Sequence, residues 1–170
     1  MFNLVNVAIM AIGTAISIII GQLLGANRIE EAKDKDNKLI VFSLMLSVGV
    51  GIFVAAISPF FPQLYDTTEA AREIATRLML LQALFFPVFS FINSSYFTMR
   101  SGGKTFITFL FDSVFVWVVS VPTAFCMSRF TDFNVFWMFT IVSAADLIKC
   151  AIGYVMLKKG MWIQNIVDDK

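Results

Sequence analysis

Five runs of apolar residues, at positions 4–26, 38–61, 75–99, 104–128 and 133–157, limit what this chain can fold into. Each exceeds the roughly 20 residues that a helix rising about 1.5 Å per residue needs to cross a hydrocarbon layer about 30 Å thick. Inside lipid no water pairs with backbone N–H and C=O groups, so each run must satisfy them internally, and the helix does so. The expected fold class is all-α transmembrane, one membrane domain over residues 1–170 with five spanning helices. The composition agrees: 58% of the residues are apolar and only 15% charged. Soluble domains carry about 45–50% and about 25%.

Composition also excludes chemistry. The chain has no histidine, which removes Ser-His and Cys-His catalysis and histidine-ligated zinc. No nucleophile and base occur together at matching depth, so no enzyme is expected. A formal charge of +1 gives no footprint for nucleic acid as a partner. The opening "MFNLVNVAIM" lacks a basic region and a cleavage site, so the first apolar run is expected to be retained. The motif "GGKT" at Gly102–Thr105 has the ending of a phosphate loop. Thr98 stands where the opening glycine belongs, however, and a helix precedes it where a strand is required. Cys126 and Cys150 fall some 20 Å apart along antiparallel helices, too far for a disulfide, whose Cα atoms lie within about 7 Å.

Polar segments punctuate the runs: "NRIEEAKDKDNK", "DTTEAARE", "RSGGK" and "RFTD". Five crossings put the termini on opposite sides. With the C-terminus inside, nine cations (Arg28, Lys33, Lys35, Lys38, Arg100, Lys104, Lys158, Lys159, Lys170) lie inside against three (Arg72, Arg77, Arg129) outside. The positive-inside rule therefore predicts a multi-pass cell-membrane protein with its C-terminus cytoplasmic and its N-terminus outside. That topology suits a chain lacking an N-terminal portion.

Small residues recur every fourth position on the first helix (Gly13, Ser17, Gly21, Gly25) and the second (Ser43, Ser47, Gly51, Ala55). Such stripes let helix backbones approach closely; they serve packing, or they line a path. Pro87 and Pro122 interrupt the hydrogen bonding of the third and fourth helices and are candidate points of flexing. Gln82, Asn93 and Tyr96 on the third helix either line a wet cavity or bridge helices.

Three ionisable groups lie deep: Asp112 on the fourth helix, Asp146 and Lys149 on the fifth. Charges at that depth face the bundle interior and call for partners. Asp112 is eight residues past Lys104 and Lys149 nine before Lys158, so both stand about 12–14 Å from the same boundary and can pair between antiparallel neighbours. Asp146, three residues before Lys149, shares its face. The network is either a permanent pair fixing two helices or a proton-holding site, since crowded carboxylates raise one another's pKa. Replacing Lys149 alone by Leu is expected to harm folding or transport more than removing Asp112 and Lys149 together.

"GTAISIIIGQLLGANRIEEAK" (Gly13–Lys33), "NSSYFTMRSGGKTFITFLFDSVFVWVVSVPTAF" (Asn93–Phe125) and "KKGMWIQNIV" (Lys158–Val167) resemble the C-terminal half of the multidrug and toxic compound extrusion (MATE) transporters. The resemblance implies helices eight to twelve of a twelve-helix, two-lobed fold, the N-terminal lobe being the missing partner. It further implies antiport by alternating access, with inward H⁺ or Na⁺ driving export of a small amphipathic drug or metabolite and no organic cofactor. The family's coupling acid on its first helix has no counterpart in this chain. The segment "LQALFFPVFSFIN" holds no acid where cation-coupled branches place one. A membrane scaffold or assembly subunit without transport activity is the alternative from another class.

Overall fold

The computed structural model describes residues 2–64, 68–103, 105–130 and 135–163. Lys104 and the tail beyond Ile163, both used in the sequence argument, lie outside them. The described residues form helices joined by tight turns: α1 (Phe2–Gly25), α2 (Ile29–Ile57), a 3₁₀ turn (Phe61–Leu64), α3 (Glu69–Ser101), α4 (Thr105–Phe109), α5 (Val121–Phe130) and α6 (Val135–Lys158). Two π turns, Leu110–Val114 and Val116–Ser120, lie between α4 and α5 and make that pass one interrupted helix. The protein is an all-α, multi-pass membrane bundle. Asn6–Gly25, Ile29–Ile57, Glu69–Ser101 and Phe136–Lys158 are long and apolar enough to cross a bilayer, while the fourth pass contributes a shorter apolar stretch, Leu110–Cys126.

The second and third helices start earlier than their apolar runs. The residues read as polar punctuation, 29–37 and 69–73, are helical. Backbone hydrogen bonding does not stop where hydrophobicity does. Charged pairs on one helix face support the extensions: Lys33 to Glu30 at 2.7 Å, Lys38 to Asp34 at 2.6 Å and Arg77 to Glu73 at 2.6 Å, each worth a few tenths of a kcal/mol, about 0.2–0.5. Thr68 caps α3 by accepting from the Ala71 N–H at 3.4 Å.

Helix ends are set by local chemistry. After α1, Asn27 takes φ +57°, and the Arg28 and Asn27 N–H groups bond Leu23 and Leu24 carbonyls at 2.9 and 3.0 Å. After α6, Gly160 at φ +63° repeats this closure, with Met161 and Gly160 bonding Met156 and Leu157. Both are Schellman ends, which favour Gly or Asn at the left-handed position. The second turns the chain back, so that Trp162 is buried against the α3 terminus.

The central helix is α3, which packs on α1, α2 and α6. One core joins Ile16, Ile20, Leu24, Ala32, Ile92, Met99, Phe111 and Trp162; a smaller one holds Val54, Ala83 and Phe86. The small-residue stripes fare differently. On α2, Ser43, Ser47 and Gly51 are buried against α3 and Ala55 is half-buried, and the Gly51 backbone approaches so closely that a Cβ there would stand 2.8 Å from the Ala83 carbonyl oxygen. On α1, a Cβ at Gly13 would collide with the Phe97 ring, but Gly21 and Gly25 face open space. The buried line of α1 is instead Ile9, Gly13, Ile16, Ile20 and Leu24, and Ser17 is only half-buried. Drift of a straight helix against a four-residue repeat explains this correction: 3.6 residues per turn carry Gly21 and Gly25 off the face on which Gly13 lies.

Candidate functional site

A cavity of about 740 Å³ lies between α1, α3, the first π turn and α6. Gln82, Asn93 and Tyr96 line it, as do Asp112 and Asp146. Five of the six side chains singled out for a cavity or an ionisable network therefore face one space. They come together because α3 presents residues 82, 86, 89, 93, 96 and 100 on one face, spaced by three and four. Asn6, Arg100 and Ser143 complete the polar lining; the sequence reading did not single them out. For Arg100 the available signal was its continuation of the 93, 96 series.

Lys149 completes the network from behind the wall. It is 6% exposed, and its Nζ donates to Asp112 Oδ1 at 2.6 Å. The ammonium also lies over the rings of Phe111 and Phe115, at 5.2 and 5.8 Å from their centroids, a favourable placement for a desolvated cation. The pair is asymmetric. The Lys149 side chain is 8% exposed and that of Asp112 51%, so the carboxylate opens to the cavity while its cation does not. Asp146, one turn before Lys149 on α6, is half-buried and supplies a second carboxylate to the cavity.

Local backbone geometry aims Asp112. It lies within the π turn Leu110–Val114. In the next turn Val121 N–H bonds the Val116 carbonyl, five residues back, and Pro122 at the head of α5 has no N–H to offer Val118. The extra residue per turn changes the direction of side chains before it, and π turns recur at functional sites. Pro87 leaves α3 unbroken from Glu69 to Ser101.

A second polar group escaped the sequence reading. Asp36, counted there within punctuation, is 3% exposed and accepts from Thr98 Oγ1 at 2.6 Å. Beyond it, Ser94 donates to Ser43 Oγ at 3.1 Å, and the hydroxyls of Ser43 and Ser90 are 2.6 Å apart. These polar groups form a file along the α2–α3 interface. The signal was present: Ala32, Asp36, Ile40, Ser43, Ser47, Gly51 and Val54 follow one 3–4 spacing, so Asp36 belongs to the buried stripe. Cys126 and Cys150 are both free thiols. Among the described residues no group of three metal-ligating side chains occurs.

A family model described as MatE matches residues 1–126. The chain is 23% identical over 150 residues to the probable multidrug resistance protein YoeA of Bacillus subtilis, covering 88% of this chain and 32% of that protein. It is 23% identical to the probable multidrug resistance protein NorM of Oceanobacillus iheyensis, over 78% of this chain and 30% of the other. For the NorM protein of Halalkalibacterium halodurans the identity is 22%, over 85% and 31%. The chain thus spans about a third of the length of these relatives. No solved structure matches it. Members of the matched family are transporters rather than enzymes, and with the match covering most of its length this chain belongs to the multidrug and toxic compound extrusion family.

Proposed function

We propose that this bundle forms part of a cation-coupled antiporter that exports small amphipathic drugs or metabolites by alternating access, its cavity receiving the cargo. The observation that carries the reading is the cavity of about 740 Å³ in which two carboxylates, Asp112 and Asp146, face amide, phenol and ring side chains. That volume is in the range of small-molecule sites, about 300–1,000 Å³, and aromatic walls together with two carboxylates suit an organic cation. The relatives' names as multidrug resistance proteins support the same reading. Asp112 is the group through which cargo and coupling ion meet. An incoming cation competes with the Lys149 ammonium for that carboxylate, and a proton or Na⁺ taken up by the acids releases it.

In this reading a second lobe supplies the opposite wall of the path, and the C-terminal end of α6 faces the cytoplasm. The test is ethidium efflux from vesicles carrying this chain together with the N-terminal lobe of a relative. Efflux is expected to collapse when the H⁺ or Na⁺ gradient is dissipated and to fall at least tenfold with Asp112→Asn. Efflux that ignores both gradients, or is unchanged by Asp112→Asn and by Asp146→Asn, overturns the reading.

A further inference from the structure

A second cavity, of about 690 Å³, lies between α2, α3 and the end of α6, and shares no lining residue with the first. Its wall is divided by depth. Lys33, Asp36, Asn37 and Lys158 line one end, where the apolar runs of α2 and α6 terminate; Ile40, Leu44 and Phe91 line the other. From Lys33 to Leu44 is eleven residues of helix, about 16 Å toward the bilayer centre. Polar groups at the boundary with apolar groups beneath reproduce the profile of a phospholipid in its own leaflet. Tyr154 and Trp162 also line the space, the residue types that favour the headgroup level.

The charges specify the headgroup. Asp36 is 3% exposed, and among the described residues its hydrogen-bond partner is the neutral Thr98 hydroxyl. A carboxylate so buried is stable only with a cation or a proton. Lys33, one turn away, is paired with Glu30 at 2.7 Å, which among the described residues leaves the carboxylate of Asp36 and the exposed ammonium of Lys158 as the charges of the wall without an ion-pair partner. One of each sign suits a zwitterion better than an anion.

We propose that this cavity binds an aminophospholipid, its primary ammonium donating to Asp36, its phosphate at Lys158, and an acyl chain running past Ile40 and Leu44. A choline headgroup has no N–H to give Asp36, and a glycerol headgroup has no cation.

The test uses the purified chain in detergent supplied in turn with phosphatidylethanolamine, phosphatidylcholine and phosphatidylglycerol. Thermal unfolding and native mass spectrometry are the readouts. Phosphatidylethanolamine is expected to be retained at one copy and to raise the unfolding temperature above the other two lipids. Lys158→Gln, on an exposed side chain that folding does not need, and Asp36→Asn are each expected to cut its affinity at least tenfold. Equal stabilisation by phosphatidylglycerol, an unchanged lipid preference in Lys158→Gln, or full stabilisation by soluble phosphoethanolamine overturns the proposal. Should Asp36→Asn fail to fold, the Lys158→Gln result decides alone.

Discussion

Lys149 is held from several sides at once. Its ammonium has one carboxylate at 2.6 Å, two phenyl faces and almost no solvent. Removing one member of a buried pair strands the other, which costs about 3 kcal/mol or more, whereas removing both is often close to neutral. Because Lys149 is the desolvated partner, Asp112→Leu is expected to destabilise by about 3 kcal/mol. Lys149→Leu should cost less, since it leaves a carboxylate that water in the cavity reaches. The double replacement should recover most of the loss. Thermal unfolding of the four proteins in detergent checks the cycle; additive losses would show that the pair contributes nothing. The expectation drawn from depth compared Lys149→Leu with the double replacement only; the unequal exposure of the two side chains now ranks the two single changes as well.

Helix interfaces set the next scale, and two glycines of the same sequence motif illustrate it. Gly51 lies where α2 meets the α3 backbone, while Gly21 faces open space. A methyl at position 51 must push apart two helices, an overpacking cost of about 1–3 kcal/mol. At position 21 it meets nothing and gains helix propensity, worth up to about 1 kcal/mol. Gly51→Ala is therefore expected to lower the unfolding temperature and Gly21→Ala to hold or raise it. Equal effects at the two sites would sink the assignment of faces. The interrupted fourth pass belongs to this scale as well. Pro122 was legible as a break in hydrogen bonding, but two consecutive π turns and the resulting aim of Asp112 depend on how the segment rests against α3 and α6.

At the scale of the whole bundle, one end is closed by a return of the chain. Trp162 reaches the core that joins α1, α2 and α3, and the Trp162 carbonyl occupies the space a Cβ on Gly102 would need. The turn after α3 and the turn after α6 are thereby fixed together. Trp162→Ala is expected to cost about 3–5 kcal/mol, and Gly102→Val to displace the same turn. Because both loosen the same pair of turns, the double variant should lose less than the sum. Full additivity in chemical denaturation would place the two turns out of contact. The outer surface of the bundle carries Phe42, Phe53, Trp117, Phe125 and Trp137, all exposed. That surface requires lipid or a second lobe to cover it.

The membrane bundle follows from residue counting alone, because a run's length times the rise per residue, and the need to pair backbone groups internally, are local quantities. Depth along a helix is local too, so the meeting of Asp112 with Lys149 was legible from counting residues to a boundary. Which faces are buried was settled in the packed bundle: that Gly13 lies in an interface and Gly21 does not, that Asp36 sits inside, and that Trp162 folds back beneath α3. Those outcomes depend on the rotation of each helix against its neighbours, which the packing of several elements fixes at once and no single segment contains.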